Sequence, residues 1–203
     1  MARITTHDEL RNLYRRPTDR VVLKEMDHLD VHCRSFLDRS PFLVLASVGA
    51  DGRVDASPRG DRPGFVRVAD DHTLLIPDRP GNNRLDSLTN LVDRPQAGAI
   101  FMIPGVDETL RVNGTIAIHD DDALRQGFAV EGRMPTTVLV MRVEQVYLHC
   151  AKAFMRSKLW DPASWPSERP VPTLGDMIHD QIAEEIPAET QEAMLARLRE
   201  SLY

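Results

Sequence analysis

Between residues 41 and 150, apolar runs alternate with short turn-forming segments. The clearest run is Pro41-Phe42-Leu43-Val44-Leu45-Ala46-Ser47-Val48, and Gly49-Ala50-Asp51-Gly52 follows it directly. A run of this length that ends in such a turn favours a β-strand that folds back antiparallel onto the next one. Arg53 to Pro58 is the returning strand, so the two segments form a predicted β-hairpin.

Further strand candidates follow at similar spacing along the chain. They are Phe65 to Ala69, Thr73 to Pro77, Gln96 to Ile103, Glu108 to His119 and Thr137 to Cys150. This spacing favours a closed or nearly closed antiparallel barrel over an array of β-α-β units. No Gly-x-Gly-x-x-Gly follows a strand and no Walker loop is present, which disfavours a Rossmann or P-loop nucleotide site.

Helical patterns flank the strands. Thr6 and Glu9 have the spacing of a capping box, which predicts a short helix that ends by Pro17. A second helix is expected from about Asp27 until Ser40-Pro41, and a final amphipathic helix carries Met194, Leu195, Leu198 and Leu202. The expected organisation is one domain over residues 1–203, with N-terminal helices in 1–40, the barrel in 41–150 and a C-terminal loop and helix in 151–203.

Composition limits the partners. The 203 residues carry a net charge of −6, so neither nucleic acid nor an anionic membrane is expected as a partner. The first residues lack an apolar signal core and no apolar run has the length of a membrane span, which predicts a soluble, cytoplasmic protein. Cys33 and Cys150 are the two cysteines; neither belongs to a metal-binding pattern, and no metal is expected.

The segment Arg79-Pro80-Gly81-Asn82-Asn83-Arg84-Leu85-Asp86-Ser87-Leu88 combines turn formers, amide donors and arginines. Leu85, Leu88 and Leu91 recur at helical spacing, which predicts a short helix that begins at Asn82 or Asn83. Free backbone N–H groups at such a helix start, with Arg84 beside them, would suit a phosphate. A solvated turn with an asparagine cap is the alternative that this segment alone leaves open.

Several motifs in order give the chain a family resemblance. They are Asp55-Ala56-Ser57-Pro58-Arg59-Gly60-Asp61, Pro63-Gly64-Phe65-Val66, Ile76 to Asn82, Pro104-Gly105, Thr109-Leu110-Arg111-Val112-Asn113-Gly114, His149-Cys150-Ala151-Lys152 and Arg156-Ser157-Lys158-Leu159-Trp160. Over roughly residues 20 to 165 the chain resembles the pyridoxamine 5′-phosphate oxidase-related flavoproteins, in particular a subgroup of FMN-dependent enzymes without an assigned substrate. The resemblance implies a homodimeric, antiparallel split β-barrel, the FMN-binding split barrel, with FMN bound at the dimer interface.

The resemblance also implies which residues bind the cofactor. Ser57, Pro58 and Arg59 are expected along the flavin ring. The phosphate and ribityl group are expected near Ile76, Pro77, Asn82, Asn83, Arg84 and Ser87. Asn83 and Arg84 stand where relatives use a Ser-Arg-Lys type cluster, so a second cation is expected from among Arg59, Arg79, Arg111 and Lys158.

Late in the chain, Arg156, Ser157 and Trp160 stand where relatives supply an arginine and a tryptophan to the flavin. A guanidinium there would stabilise the anionic reduced flavin, and an indole would wall the ring. The alternative for Trp160 is a core or interface anchor, which is common for a lone tryptophan.

The functional expectation is an FMN-dependent oxidoreductase that acts on an unidentified small molecule. No constellation of acid, base or nucleophile stands out, so the cofactor is expected to carry the chemistry. Cys33, Cys150 and His149 are the side chains that a rival thiol mechanism would need. The alternative class is a non-catalytic protein that binds flavin, the deazaflavin F420 or haem on the same fold.

Overall fold

The computed structural model of the protein describes residues 3–183 and 187–203. Its helices are α1 (His7–Leu13), α2 (Asp19–Leu23), α3 (Val31–Leu37), α4 (Asp86–Asp93), α5 (Asp122–Gln126), α6 (Lys152–Ser157), α7 (Leu174–Ile182) and α8 (Gln191–Glu200). Its strands are β1 (Phe42–Val48), β2 (Val54–Gly60), β3 (Arg67–Asp70), β4 (Thr73–Asp78), β5 (Gln96–Met102), β6 (Thr109–His119) and β7 (Thr137–His149).

The seven strands form one antiparallel sheet in the order β2-β1-β5-β6-β7-β4-β3. The predicted hairpin is confirmed, because Phe42 pairs with Gly60 and Val48 pairs with Val54. Every other predicted strand is present with bounds shifted by two residues at most. Alternate residues of β1 point inward, and Leu43 and Leu45 have no exposed surface. The period-two burial that the sequence indicated therefore builds the core.

The sheet is not closed by backbone pairing. Strands β2 and β3 lie at the two ends of the strand order, and no ladder joins them within residues 3–183 and 187–203. The strand spacing predicts a closed or nearly closed barrel, and backbone pairing among the described residues does not close it. The chain between these strands contains Pro63-Gly64, and the φ of 77° at Gly64 marks a turn in this connection.

Helix α4 covers one side of the sheet and packs mainly against β1, β6 and β2. Its prediction needs a correction, because the helix begins at Asp86 and not at Asn82 or Asn83. Asn83 and Leu85 have φ angles of 56° and 59°, which belong to the left-handed region and interrupt a right-handed helix. Leu88 and Leu91 still face the core, as the helical spacing indicated.

The flanking helices agree with the sequence in part. Thr6 and Glu9 form the predicted capping box of α1, and Leu29, Cys33 and Leu37 are buried around α3, which begins at Val31 after an Asp30 cap. Helices α2, α6 and α7 were not predicted; α2 and α6 have only five and six residues, too few for a helical period to show. None of the helices within the described residues is long and apolar enough to cross a membrane.

A close backbone approach at Gly114 generates a test of this sheet. The β6–β7 register shifts between Asn113 and Gly114, and a Cβ atom at Gly114 would lie 1.9 Å from the carbonyl oxygen of Arg142. We expect Gly114→Ala to lower the free energy of unfolding by about 1 to 3 kcal/mol or more, because backbone must move to admit the methyl group.

The control for this test is Gly81→Ala, because a Cβ at Gly81 would have no atom within 4 Å. Urea unfolding of both variants measures the difference. Equal stability of the Gly114 and Gly81 variants would show that the bulge tolerates a side chain and that the described strand approach is wrong.

Candidate functional site

One cavity of about 540 Å³ opens between strand β2 and the segment that connects β4 to α4. Three parts of the chain form its walls: β2 with Phe65, the β4 end through the first turn of α4, and the start of β7. The lining residues are Asp55, Ser57, Pro58, Arg59, Gly60, Phe65, Pro77, Asp78, Arg79, Pro80, Gly81, Asn82, Asn83, Leu85, Asp86, Ser87, Leu88, Thr136 and Thr137. A cavity of this size lies within the range of about 300 to 1,000 Å³ that small-molecule and cofactor sites occupy.

Two ion pairs join the ends of β2 and β4 at this cavity. Arg59 Nε lies 3.6 Å from Asp78 Oδ1, and Arg79 Nε donates a hydrogen bond of 2.8 Å to Asp61 Oδ2. Four strands separate β2 from β4 in the sheet order. Because these distant strands nevertheless touch through side chains, the sheet curls until its two ends face each other, and the cavity lies at that opening.

Arg59 is held at the cavity wall by its own strand. Its Nη1 donates to Ser57 Oγ at 2.7 Å and to the carbonyl oxygen of Pro58 at 3.0 Å. Its Nε is buried and has no hydrogen-bond partner within the described residues, since 3.6 Å to Asp78 is too long for such a bond. Thr137 Oγ1, also on the lining, is a second buried polar atom without a partner there. Two cavity residues thus carry a buried polar atom without a hydrogen-bond partner within the described residues.

Asp78 lies in an environment that disfavours its charged form. Burial raises the pKa of Asp78 above its ordinary value, and the nearby Arg59 guanidinium offsets only part of this rise. The neutral form of Asp78 is therefore favoured more in the folded protein than in the unfolded chain. At the same cavity, Asp55 Oδ2 accepts a hydrogen bond of 2.6 Å from Ser87 Oγ.

Arg79 belongs to a second, tightly bonded group. Asp61 Oδ1 accepts hydrogen bonds from Tyr203 Oη at 2.8 Å and from the Arg62 backbone N–H at 2.7 Å. Burial alone would disfavour the Asp61 charge, but the bonds from Tyr203, Arg62 and Arg79 outweigh it and hold the pKa of Asp61 below its ordinary value. The same bond to Asp61 raises the pKa of Tyr203.

The segment from Asn82 to Ser87 forms the rim on the α4 side. Asn82 Oδ1 accepts the Arg84 backbone N–H at 3.1 Å, and the left-handed residues Asn83 and Leu85 turn the chain into the helix. The Arg84 side chain is largely exposed and is not on the lining; its Nε donates to Asp86 Oδ2 at 2.8 Å.

The structure brings seven of the sequence-predicted site residues to one cavity. These are Ser57, Pro58, Arg59, Pro77, Asn82, Asn83 and Ser87. Ile76 is fully buried in the core and is not on the lining, although its strand neighbours Pro77 and Asp78 are. Of the four arginines and lysines expected as a second cation, Arg59 and Arg79 line the cavity, whereas Arg111 stacks near Tyr147 elsewhere on the sheet.

The late-chain residues lie apart from this cavity. Arg156 and Ser157 are exposed on α6, and neither is among the lining residues. The Trp160 indole N–H donates to the carbonyl oxygen of Val106 at 3.0 Å, and its ring stacks on Phe154 with 5.7 Å between centroids. Within one chain Trp160 therefore anchors α6 to the β5–β6 connection.

Some members of the site had little signal in the sequence. Asp61 and Tyr203 are 142 positions apart, and no spacing pattern links them. Thr137 is one polar residue at the start of an apolar strand. Asp78 directly follows the predicted strand Thr73 to Pro77, and its cross-strand position beside Thr137 brings it to the cavity. Their shared location depends on the curl of the sheet, which local sequence does not encode.

Residues 29–150 match the sequence profile of the pyridoxamine 5′-phosphate oxidase family, which covers more than half of the chain. The chain therefore belongs to this family. No curated protein matches the chain in sequence. The predicted family is confirmed, and so is a mainly antiparallel sheet with flanking helices.

Several solved structures are similar to the chain at low sequence identity. A HupZ variant from Group A Streptococcus is 17% identical, with a TM-score of 0.50 over 60% of this chain and 99% of that chain. An FMN-binding protein from Syntrophomonas wolfei is 13% identical, with a TM-score of 0.45 over 58% of this chain and 83% of its own. An F420 reductase is 18% identical, with a TM-score of 0.42 over 56% of this chain and 94% of its own.

The two cysteines differ in a way that labelling can test. Cys33 is buried, and its burial, together with the nearby Asp30, raises the pKa of its thiol to about 12, whereas Cys150 is exposed. Since the thiolate is the reactive form, we expect a maleimide at pH 8 to label Cys150 and not Cys33 in the folded protein.

Cys150→Ser should therefore stay unlabelled until it is denatured, and Cys33→Ser should label as the wild type does. Mass spectrometry after a short exposure reports both. Rapid labelling of folded Cys150→Ser would contradict the burial of Cys33.

Proposed function

We propose that this protein binds FMN in the cavity between β2 and β4 and is an FMN-dependent oxidoreductase for a small organic substrate. The observation that carries the proposal is the cavity itself, whose lining unites Ser57 to Arg59 with the Asn82 to Ser87 segment in a member of this family. Bound FMN would supply hydride transfer, and the chain would supply binding, orientation and electrostatics.

The flavin ring is assigned to the β2 wall. Pro58 and Phe65 give this wall apolar surface, and the unpartnered Arg59 Nε and Thr137 Oγ1 offer polar contacts to a heterocycle. Ionised Asp78 lowers the net positive charge of this wall. Because burial raises the pKa of Asp78, its carboxyl group ionises less readily and lowers that charge less. These donors suit the pyrimidine edge of a flavin, which presents carbonyl and imide groups.

The phosphate is assigned to the rim that runs from Arg79 to Ser87. Arg79 lies on the lining, and Arg84 lies on the same short segment with its side chain exposed at the rim. The turn at Asn83 and Leu85 leaves the first backbone N–H groups of α4 without carbonyl partners inside the helix, as at any helix start. Ser87 and Asn82 are suited to the ribityl hydroxyl groups.

A homodimeric split barrel is part of the proposal. Arg156, Ser157 and Trp160 lie away from the cavity of their own chain. In a dimer, they could reach flavin only across the interface, in the cavity of the second copy. Each chain, a single domain over residues 1–203, would then supply the cavity-lining residues to its own site and Arg156, Ser157 and Trp160 to the site of the second copy. Sedimentation velocity of the flavin-loaded protein tests this part, and a monomer that retains full flavin affinity would contradict it.

A non-catalytic binder remains the alternative function, with flavin, the deazaflavin F420 or haem as its ligand. The observation that favours it is that no histidine, cysteine or lysine is among the lining residues within the described part of the chain. Among those same residues, no group of three histidine, cysteine or acidic side chains is arranged to hold a metal ion.

Absorption spectroscopy tests the cofactor. We expect the protein, purified or after incubation with FMN and removal of the free excess, to show flavin bands near the usual 370 and 450 nm. A single deazaflavin band or a Soret band would support the alternative ligands. Failure of the protein to retain any chromophore would contradict the proposed function.

The phosphate assignment predicts a difference between two flavins. Arg84→Ala removes a cation beside the rim, so we expect FMN affinity to fall about ten-fold. Riboflavin lacks the phosphate and should lose much less affinity. Fluorescence titration with each flavin measures both dissociation constants.

Arg53→Ala is the matched control for this test, because Arg53 is also exposed and also pairs with an aspartate two residues away, Asp51. That variant should bind both flavins as the wild type does. An equal loss of FMN and riboflavin in Arg84→Ala would indicate a ring contact or a folding defect instead of a phosphate contact.

A further inference from the structure

Tyr203 connects the C-terminal segment to the cavity wall. Its hydroxyl donates to Asp61 Oδ1 at 2.8 Å, and its backbone oxygen accepts from Arg133 Nη1 at 2.8 Å. The Arg79 guanidinium lies 5.2 Å from the centroid of its ring, within the distance of a cation–π contact. One aromatic residue therefore contacts both partners of the Asp61–Arg79 pair.

This pair is shielded from water. The side chain of Asp61 is 3% exposed and that of Arg79 is 13% exposed. Both Asp61 oxygens are in use, because Oδ1 accepts from Tyr203 and from the Arg62 backbone while Oδ2 accepts from Arg79. A buried carboxylate that loses one of these donors pays a desolvation penalty, so the geometry of the group depends on Tyr203.

Arg79 uses only part of its hydrogen-bonding capacity in this arrangement. Its Nε is occupied by Asp61, and no hydrogen bond within the described residues uses Nη1 or Nη2. Arg79 is also on the cavity lining. A guanidinium that is fixed through Nε and stacked on a ring keeps its two terminal nitrogens available as a preorganised fork for an anion.

We propose that Tyr203 is a positioning residue for an anionic ligand group in the cavity, and that it acts through Asp61 by fixing the Arg79 guanidinium. The inference rests on the proposed function, because the anionic group in question is the FMN phosphate. Tyr203 itself touches no ligand in this account. Its effect is to remove the conformational cost of ordering Arg79 when the phosphate binds.

The test is Tyr203→Phe, which keeps the ring and removes only the hydroxyl. We expect FMN affinity to fall about two- to ten-fold and riboflavin affinity to stay unchanged. Tyr14→Phe is the control, since the Tyr14 hydroxyl makes no hydrogen bond within the described residues and Tyr14 is exposed. Unchanged FMN affinity in Tyr203→Phe, or an equal loss for both flavins, would overturn the positioning role.

Hydrogen exchange supplies a second readout that needs no activity. Because coupling between two sites is reciprocal, FMN should slow amide exchange in residues 191–203 of the wild type, and riboflavin should not. In the absence of flavin, Tyr203→Phe should exchange faster over this segment than wild type or Tyr14→Phe. Exchange that is identical in all three proteins would overturn the inference.

Experiment can refute the proposed function without refuting the positioning role of Tyr203. A wild type that binds neither flavin would refute the proposed function but not the bonded group at Tyr203. Inorganic phosphate would then be the probe: we expect it to slow exchange in residues 191–203 of wild type and to do so less in Tyr203→Phe. No such effect of phosphate in either protein would overturn the positioning role as well.

Discussion

The candidate site depends on charge pairing across the opening of the curled sheet. Arg59 faces Asp78, and Asp61 faces Arg79, so each strand end contributes one cation and one anion to its neighbour. Desolvation offsets much of the attraction in such partly buried pairs, so their main consequence is geometric. Loss of either partner would leave a buried charge alone, and this cost fixes how β2 and β4 approach each other around the cavity.

The same pairs divide the cavity into two electrostatic environments. On the Asp78 side, burial raises the pKa of the Asp78 carboxyl group. The Nε atom of Arg59, on the same side, has no hydrogen-bond partner within the described residues. On the Asp61 side, three donors satisfy the carboxylate and hold its pKa down. A ligand with a neutral polar ring and an anionic tail suits this asymmetry, since each end would meet the matching wall.

Much of the fold could be predicted from the sequence because its strands alternate inward and outward residues and end in turn formers. Leu43 and Leu45 show this pattern clearly, and the β1–β2 hairpin follows from it. The start of α4 could not be predicted, because the left-handed Asn83 and Leu85 interrupt a helical leucine spacing that looks continuous. Seven predicted residues meet at one cavity, but Ile76 is buried in the core, one residue before the part of β4 that reaches the cavity. The Asp61–Tyr203 contact joins residues 142 positions apart, so no local sequence pattern predicts it.

Family membership and the cavity lining both support the FMN site proposed above, whereas the HupZ variant, at 17% identity, supports the fold alone. A crystal structure of the protein grown with FMN tests the central claim most directly. We expect flavin density along Ser57 to Arg59, with the phosphate against the segment from Arg79 to Ser87. Ordered FMN bound elsewhere on the chain, or with its phosphate at the opposite end of this cavity, would contradict the proposed site.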